Sequence, residues 1–314
     1  MIEQLTIKTK KISNKSKQFS TDPFTVYLDS LSPSGRRSMN SQLMGVLKLM
    51  EYNGSGENFP WSNLRYVHLV KLRTLLQEQG KTANTVNTTL AAIKGVIRTA
   101  FNLGEIAADD YLRCNSVKQI KSHSLPVGRS LKPAEIKKLI SVCKRDKTAI
   151  GIRDTAIIAL MLSTGLRRSE VIQLDTADFI EKQSLILIRK GKGNRQHLAV
   201  ITVSTRALLN KWLKQKSNQS KALFTRVIHN IPSENRISAQ SIYNIINSRA
   251  KQAGLDKLTP HDLRRTLVTR LLDKGIDLNT VRQIIGHQNI HTTARYDRRD
   301  DALNHKIIKN LAMF

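Results

Sequence analysis

The amino-acid sequence predicts a mainly α-helical protein with one small β-hairpin, divided into two domains. Three observations lead there. Apolar residues recur at helical spacing along most of the chain. A single stretch pairs two short β-rich runs across a Gly- and Asn-containing loop. The length, 314 residues, exceeds what one hydrophobic core usually spans.

Residues 1–18 carry five lysines and one acidic residue and read as a basic arm. Residues 19–120 read as a helical domain. Met39, Leu43, Val46, Leu47 and Met50 form one stripe, and Val86, Leu90, Ile93, Ile97 and Ala100 form another. Between them, NLRYVHLVKLRTLLQEQG predicts a helix closed by Gly80 just past its end. KSHSLPVGRS, 121–130, has no periodicity and is expected to be the linker.

The second domain, 131–314, opens with PAEIKKLISVC, where Pro133 suits the first helical turn and Glu135 the positive end of the helix dipole. An apolar helix, GIRDTAIIALMLSTG, runs into Gly165. LILIR, 185–189, and HLAVI, 197–201, flank KGKGNRQ and make the hairpin, the one clear β signal. Helices resume at STRALLNKWLK and SAQSIYNIINSRAKQAG. A further helix starts at the N-cap and N1 pair Thr259 and Pro260 and runs to Gly275, and a last one stops at Gly286.

Lys and Arg number 52 against 24 Asp and Glu, a net charge of +28 distributed along the chain. Such a surplus calls for a polyanion. No apolar run approaches the ~18 residues of a membrane span, and residues 1–20 lack the apolar core of a signal peptide. Nucleic acid is therefore the expected partner, with no membrane, and the cytoplasm, in association with the nucleoid, the expected location. Cys114 and Cys143 have neither metal-like nor disulfide-framework spacing, suit a reducing compartment and receive no role.

Several residues invite chemistry, and each alone has a plainer reading. His261 and Arg264, three apart in LTPHDLRRT, share a helix face and can grip one phosphate, yet such pairs usually line a solvated surface. Arg167 follows the helix break at Gly165, where a surface arginine would be unremarkable. Lys192 stands in a glycine-rich hairpin tip, where lysines usually serve solubility. His287 follows Gly286 in GHQNIHTTARYDRRDD and reads alone as a capping histidine. Tyr296 reads alone as a half-buried core residue.

Order and spacing give these residues a joint meaning. Along the chain come Arg167 in TGLR, Lys192 in GKGN, His261 and Arg264 in HDLR, His287 in GH and Tyr296 in TTARY. His287 stands 23 residues after Arg264, and Tyr296 nine after His287. The set closely resembles the catalytic constellation of the tyrosine recombinases, the phage-integrase and Xer-like site-specific DNA recombinases. Motif detail covers about 129–300. Residues 19–105 are similar, more loosely, to the helical, SAM-like core-binding domain that precedes the mixed α/β catalytic domain in that family. Lys132 stands where such proteins often place a Ser or Thr cap, and Arg265 where they often have His. Arg295 matches no motif position.

The resemblance implies DNA strand transfer by transesterification, independent of metal and ATP and without a cofactor. Tyr296 would be the nucleophile, Arg167 and Arg264 the clamps on the non-bridging oxygens, and His287 a hydrogen-bond donor to them. Lys192 would be the general acid, His261 the base or proton shuttle, and Glu170 a brace for the arginines. It implies double-stranded DNA recombination sites as partner and a homo-tetramer exchanging C-terminal tails. Leu303, Ile307, Ile308 and Leu311 suit that exchange, although packing on the chain's own domain explains them as well. Accessory DNA-bending or directionality factors are compatible with it. The biological task expected is integration and excision of a bacterial mobile element. Xer-like dimer resolution, a type IB topoisomerase and a non-enzymatic DNA-binding regulator are the alternatives. The short segment before residue 19 leaves no room for a folded arm-binding domain, so a simple recombinase is expected.

Overall fold

The structure is a computed structural model that describes residues 22–121, 128–189, 196–216 and 219–286. The chain separates into two compact units, Met1–Ser124 and Leu125–Phe314. The basic arm lies outside the described residues, as do 122–127 of the expected linker and the C-terminal tail with Leu303, Ile307, Ile308 and Leu311.

The first unit is helical throughout its described length. Helix α1, Pro23–Asp29, starts where the Asp22 carboxylate accepts the amides of Phe24 and Thr25, and α2, Pro33–Leu49, starts on the Ser32 hydroxyl. Helix α3, Tyr66–Glu78, ends at Gly80, which adopts φ +68 while the amides of Gly80 and Lys81 return to the carbonyls of Gln77 and Leu76. Helix α4, Ala83–Asn102, and α5, Ala108–Ser116, complete the unit.

The expected stripes form its core, except that Met39 is only half-buried against it and Met50 lies outside it. Leu43, Val46 and Leu47 of α2 and all five residues of the α4 stripe are buried, but α2 stops at Leu49, so Met50 turns outward and is exposed. The core also holds an aromatic group that periodicity did not reveal. Trp61 stacks on Phe24, meets Phe59 edge-on, and donates its indole N–H to the Gly56 carbonyl at 2.7 Å.

The second unit is built around α7, Ala149–Thr164, which is buried along most of its surface because α6, Pro133–Arg145, α9, Val203–Leu213, and α11, Pro260–Asp273, all pack on it. Its buried charges are paired, as burial demands. Asp154 accepts from Arg153 and from Arg249 of α10, Ala239–Gln252, and Arg249 also reaches Asp146 at 2.7 Å. Beside this network burial pushes the Cys143 thiol up to about 12, where it is inert. Helix α6 starts at Lys132, which supplies no side-chain cap; Glu135 instead accepts the Lys132 amide at 2.8 Å, in keeping with its expected place at the helix start.

The expected hairpin is present as β2, Leu185–Ile188, and β3, His197–Val200, antiparallel with Leu185 opposite Val200 and Ile188 opposite His197. Strand β1, Phe179–Ile180, extends the sheet to the order β1-β2-β3. A second hairpin corrects the expectation of a single β segment: β4, Thr225–Ile228, pairs with β5, Ile231–Arg236. Its two-residue turn is His229 and Asn230, both at positive φ. Without a glycine in the turn, and with Pro232 and charges along β5, the usual hairpin signal is missing. Asn230 accepts the Ala149 amide at 2.7 Å, so this turn also satisfies the start of α7.

The short α8, Arg168–Val171, follows α7, and α12, Leu278–Ile284, capped by Asp277, follows α11. No helix among the described residues is long and apolar enough to cross a membrane.

Gly165 ends α7 at φ +66, and a Cβ there would stand 3.2 Å from Leu267 Cδ2; Gly254 has φ +65 but open space around it. Urea unfolding should show Gly254→Ala costing about 1 kcal/mol from backbone conformation alone. Gly165→Ala should cost more, about 2 kcal/mol or above, because crowding is added to the same backbone strain. Equal losses would contradict this packing of the α7 terminus.

Candidate active site

The site grows from the end of α7. Gly165 takes the left-handed conformation and returns its amide to the Met161 carbonyl at 2.9 Å. The Thr164 hydroxyl donates to the Leu160 carbonyl and accepts the Leu166 amide. The chain thereby turns sharply, and two residues later Arg167 becomes the N-cap of α8. Glu170, buried, grips it twice: Oε2 accepts the Arg167 amide at 2.7 Å and Oε1 accepts Nη1 at 2.6 Å. The Arg167 side chain keeps about a quarter of its surface exposed, 23%.

Arg264 approaches from α11 and is only 2% exposed. Its Nη1 donates to the Gly165 carbonyl at 2.5 Å and its Nη2 to the Ile285 carbonyl at 2.8 Å. These carbonyls close α7 and α12, where helix dipoles favour a cation. One guanidinium thus holds two helix ends against a third helix.

His261 lies one turn before Arg264 on the same helix and keeps an exposed edge. Partial burial pulls its pKa below 6.5, the guanidiniums of Arg264, Arg167 and Arg168 lower it further, and Asp262 acts in the opposite direction. The expected trio of Arg167, His261 and Arg264 is therefore brought together.

The start of α11 is fixed by residues that sequence reasoning did not single out. Asp262 Oδ2 accepts the Thr259 amide and hydroxyl, and Oδ1 accepts the Arg129 amide at 2.9 Å. Thr266 Oγ1 accepts the Leu131 amide at 2.9 Å. Arg129 and Leu131 lie more than a hundred positions from Asp262 and Thr266, so no local pattern announces these two bonds. Arg265, the departure from the usual His, is buried on this same side, its Nε 3.7 Å from where a Cβ on Gly128 would lie.

At the far side, Gly286, φ +65, packs against His197, the first residue of β3; a Cβ at 286 would be 3.0 Å from His197 Nε2. The residue that hands the chain to His287 therefore abuts the base of the hairpin that bears Lys192. Lys192, His287 and Tyr296 themselves lie outside the described residues.

Residues 129–302 match the model of the phage integrase family, so the chain belongs to that family and is a tyrosine recombinase. The tyrosine recombinase XerC of Corynebacterium efficiens is 31% identical over 222 residues, 70% of this chain and 68% of that protein. The tyrosine recombinase XerA of Pyrococcus furiosus is 28% identical over 225 residues, 71% of this chain and 72% of that one.

Among solved structures, the XerH site-specific recombinase bound to a palindromic difH substrate, in a post-cleavage complex, shares the fold with a TM-score of 0.69 at 19% identity, covering 92% of this chain and 95% of that one. The Tn1549 transposon integrase in complex with circular intermediate DNA gives 0.66 at 18% identity, covering 92% and 99%.

The depressed His261 pKa has a measurable sign. A proton-detected titration of the His261 ring should show its midpoint below 6.5, moving upward in Arg167→Gln as one of the guanidiniums that lowers it is removed. Because the folded state resists a proton that the unfolded chain accepts, this group is expected to subtract stability as pH falls below about 6.5. A midpoint at or above 6.5 in the unmodified protein would contradict the described convergence.

Proposed function

We propose that this tyrosine recombinase is a site-specific DNA recombinase that cleaves and rejoins double-stranded DNA through a 3′-phosphotyrosyl intermediate, integrating and excising a bacterial mobile element. The observation that carries this reading is the convergence of Arg167, Arg264 and His261 at the end of α7, in a chain that supplies Lys192, His287 and Tyr296 in the family's order.

In this reading the Tyr296 oxygen attacks the scissile phosphorus. A phenol of pKa about 10 needs help to lose its proton at pH 7, and in this reading His261 takes it. The pentacoordinate transition state gathers negative charge on its non-bridging oxygens, where Arg167 and Arg264 stabilise it and His287 donates a hydrogen bond. As the Tyr296–phosphorus bond forms, the bond from phosphorus to the 5′-oxygen breaks, and Lys192 gives that oxygen a proton. The phosphodiester's energy is retained in the phosphotyrosyl link, so no nucleotide hydrolysis is required. Attack by the 5′-hydroxyl of another strand reverses each proton transfer and completes the exchange.

The helical unit serves as the core-binding domain and the second unit as the catalytic domain, with the surplus positive charge neutralising phosphates and making binding salt-sensitive. The working form is a tetramer on DNA, with tails exchanged between protomers, in the cytoplasm beside the nucleoid. Likeness to the transposon integrase fold supports a mobile element. A second reading, Xer-like dimer resolution, is favoured by the Xer recombinases among the sequence relatives.

A nicked suicide substrate carrying the DNA junction that flanks the gene tests the chemistry. The unmodified protein should form a covalent adduct on a denaturing gel, Tyr296→Phe none, and Arg167→Ala an adduct slowed by about 100-fold or more. No adduct from the unmodified protein, or one that persists in Tyr296→Phe, would sink the reading. Site-independent relaxation of supercoiled DNA without strand exchange would favour the topoisomerase instead.

A further inference from the structure

The first turn of α11 is held by more than a helix start needs. Thr259, Pro260, His261 and Asp262 open the helix, where amides have no carbonyl one turn earlier to bond. Asp262 Oδ2 meets that need by itself, accepting the Thr259 amide at 2.8 Å and the Thr259 hydroxyl at 2.7 Å. Its other oxygen is engaged from outside the helix. The backbone of residues 128–131 lies across the turn: Arg129 donates its amide to Asp262 Oδ1 and Leu131 its amide to Thr266 Oγ1, each at 2.9 Å. Thr266 in turn donates to the Asp262 carbonyl at 2.7 Å.

Gly128 shows how close the approach is. It has φ +106, and a Cβ on it would stand 2.5 Å from Asp262 Oδ1, closer than a side-chain carbon can stay. The carboxylate is 3% exposed and tied to three donors, so it cannot swing aside without leaving buried polar groups unpaired. The crossing segment is anchored in its turn. Leu131 is buried, and Arg129 Nη1 donates to Glu135 Oε1 at 2.6 Å while Glu135 Oε2 accepts the Lys132 amide at 2.8 Å. One short stretch of chain therefore ties the start of α6 to the start of α11.

His261 stands on the turn fixed in this way, next to Asp262 in the chain. Helix ends fray, so a side chain on a first turn is placed only as well as that turn is held. The charges around the imidazole are the guanidiniums of Arg264, Arg167 and Arg168 and the carboxylate of Asp262; of these four, Asp262 favours the protonated ring.

We infer that Asp262 is a positioning residue for His261, and that the crossing segment 128–131, with Gly128 at its closest point, holds Asp262 in that role. This rests on the reading of His261 as the base that takes the nucleophile's proton. Asp262, Gly128 and Arg129 touch no reacting atom in it.

The test follows single-turnover cleavage of a nicked suicide substrate by the full-length protein between about pH 6.5 and about pH 9.5, at a temperature where circular dichroism shows each variant folded. Each rate is divided by that of the unmodified protein at the same pH. A phenol of pKa about 10 ionises increasingly unaided as that value is approached, so the need for a base fades. His261→Ala should be slowed about 100-fold near pH 7 and no more than about threefold near pH 9.5. Gly128→Ala, which crowds the carboxylate, and Asp262→Asn, which keeps its volume without its charge, should each be slowed about 10-fold near pH 7 and recover in the same way. A defect of folding or DNA binding alone slows cleavage by one factor at every pH. In the free protein, Asp262→Asn should also move the midpoint of the His261 ring titration downward, because the carboxylate that favours the protonated ring is gone.

Slowing that does not recover at high pH in Gly128→Ala and Asp262→Asn, no slowing in either, or an unmoved His261 midpoint in Asp262→Asn, while His261→Ala is relieved at high pH, would overturn the inference alone. Failure of high pH to relieve His261→Ala would overturn the assignment of His261 as the base, and the inference with it.

Discussion

The second unit depends on one buried cation. The Arg264 guanidinium binds the carbonyls of Gly165 and Ile285, and so joins the C-terminal ends of α7 and α12 to α11. Carbonyl dipoles hold a cation without cancelling its charge. The same contact that packs three helices therefore leaves positive potential where the chain turns from Gly165 to Arg167 and where Gly286 leads on to His287. Fold and candidate chemistry share an atom group, which is why the site sits at helix ends rather than in a deep pocket.

Around that cation the chain repeats one device: a carboxylate that satisfies a turn amide and at the same time grips an arginine. Glu170 does so for the Arg167 amide and guanidinium, Asp178 for the Asp175 amide and Arg189, and Glu135 for the Lys132 amide and Arg129. With 24 acids against 52 basic residues, each acid used twice fixes a backbone turn and aims a cation together. Glu170 is buried, so losing Arg167 would leave its charge without that partner, and this turn and its arginine are expected to be retained or lost together.

Local signals carried much of this in the sequence. Apolar stripes located α2 and α4, glycines marked the ends of α3, α7 and α12, and two short β-rich runs around a Gly- and Asn-containing loop located β2 and β3. Motif order assembled Arg167, His261 and Arg264 before any geometry. What stayed hidden was long-range or turn-specific. The β4–β5 turn uses His229 and Asn230 without glycine, and Met50 lost its place in the stripe because α2 ends one residue earlier. Asp262 and Thr266 stand in a helix whose start the sequence marks at Thr259 and Pro260, yet their partners Arg129 and Leu131 are more than a hundred residues away. The use of Arg264 as a staple between two helix ends is likewise a tertiary fact. Its spacing from His261 suggested only the clamp.

Hydrogen–deuterium exchange of the unmodified protein and Arg264→Lys tests the central claim most directly. A lysine retains the charge but cannot reach both carbonyls with one fork. Exchange should quicken together at the end of α7 with α8 and at the end of α12, two segments that share no sequence neighbourhood, while α10 and the first unit stay unchanged. Quickening confined to α11, with the ends of α7 and α12 as protected as before, would contradict the account.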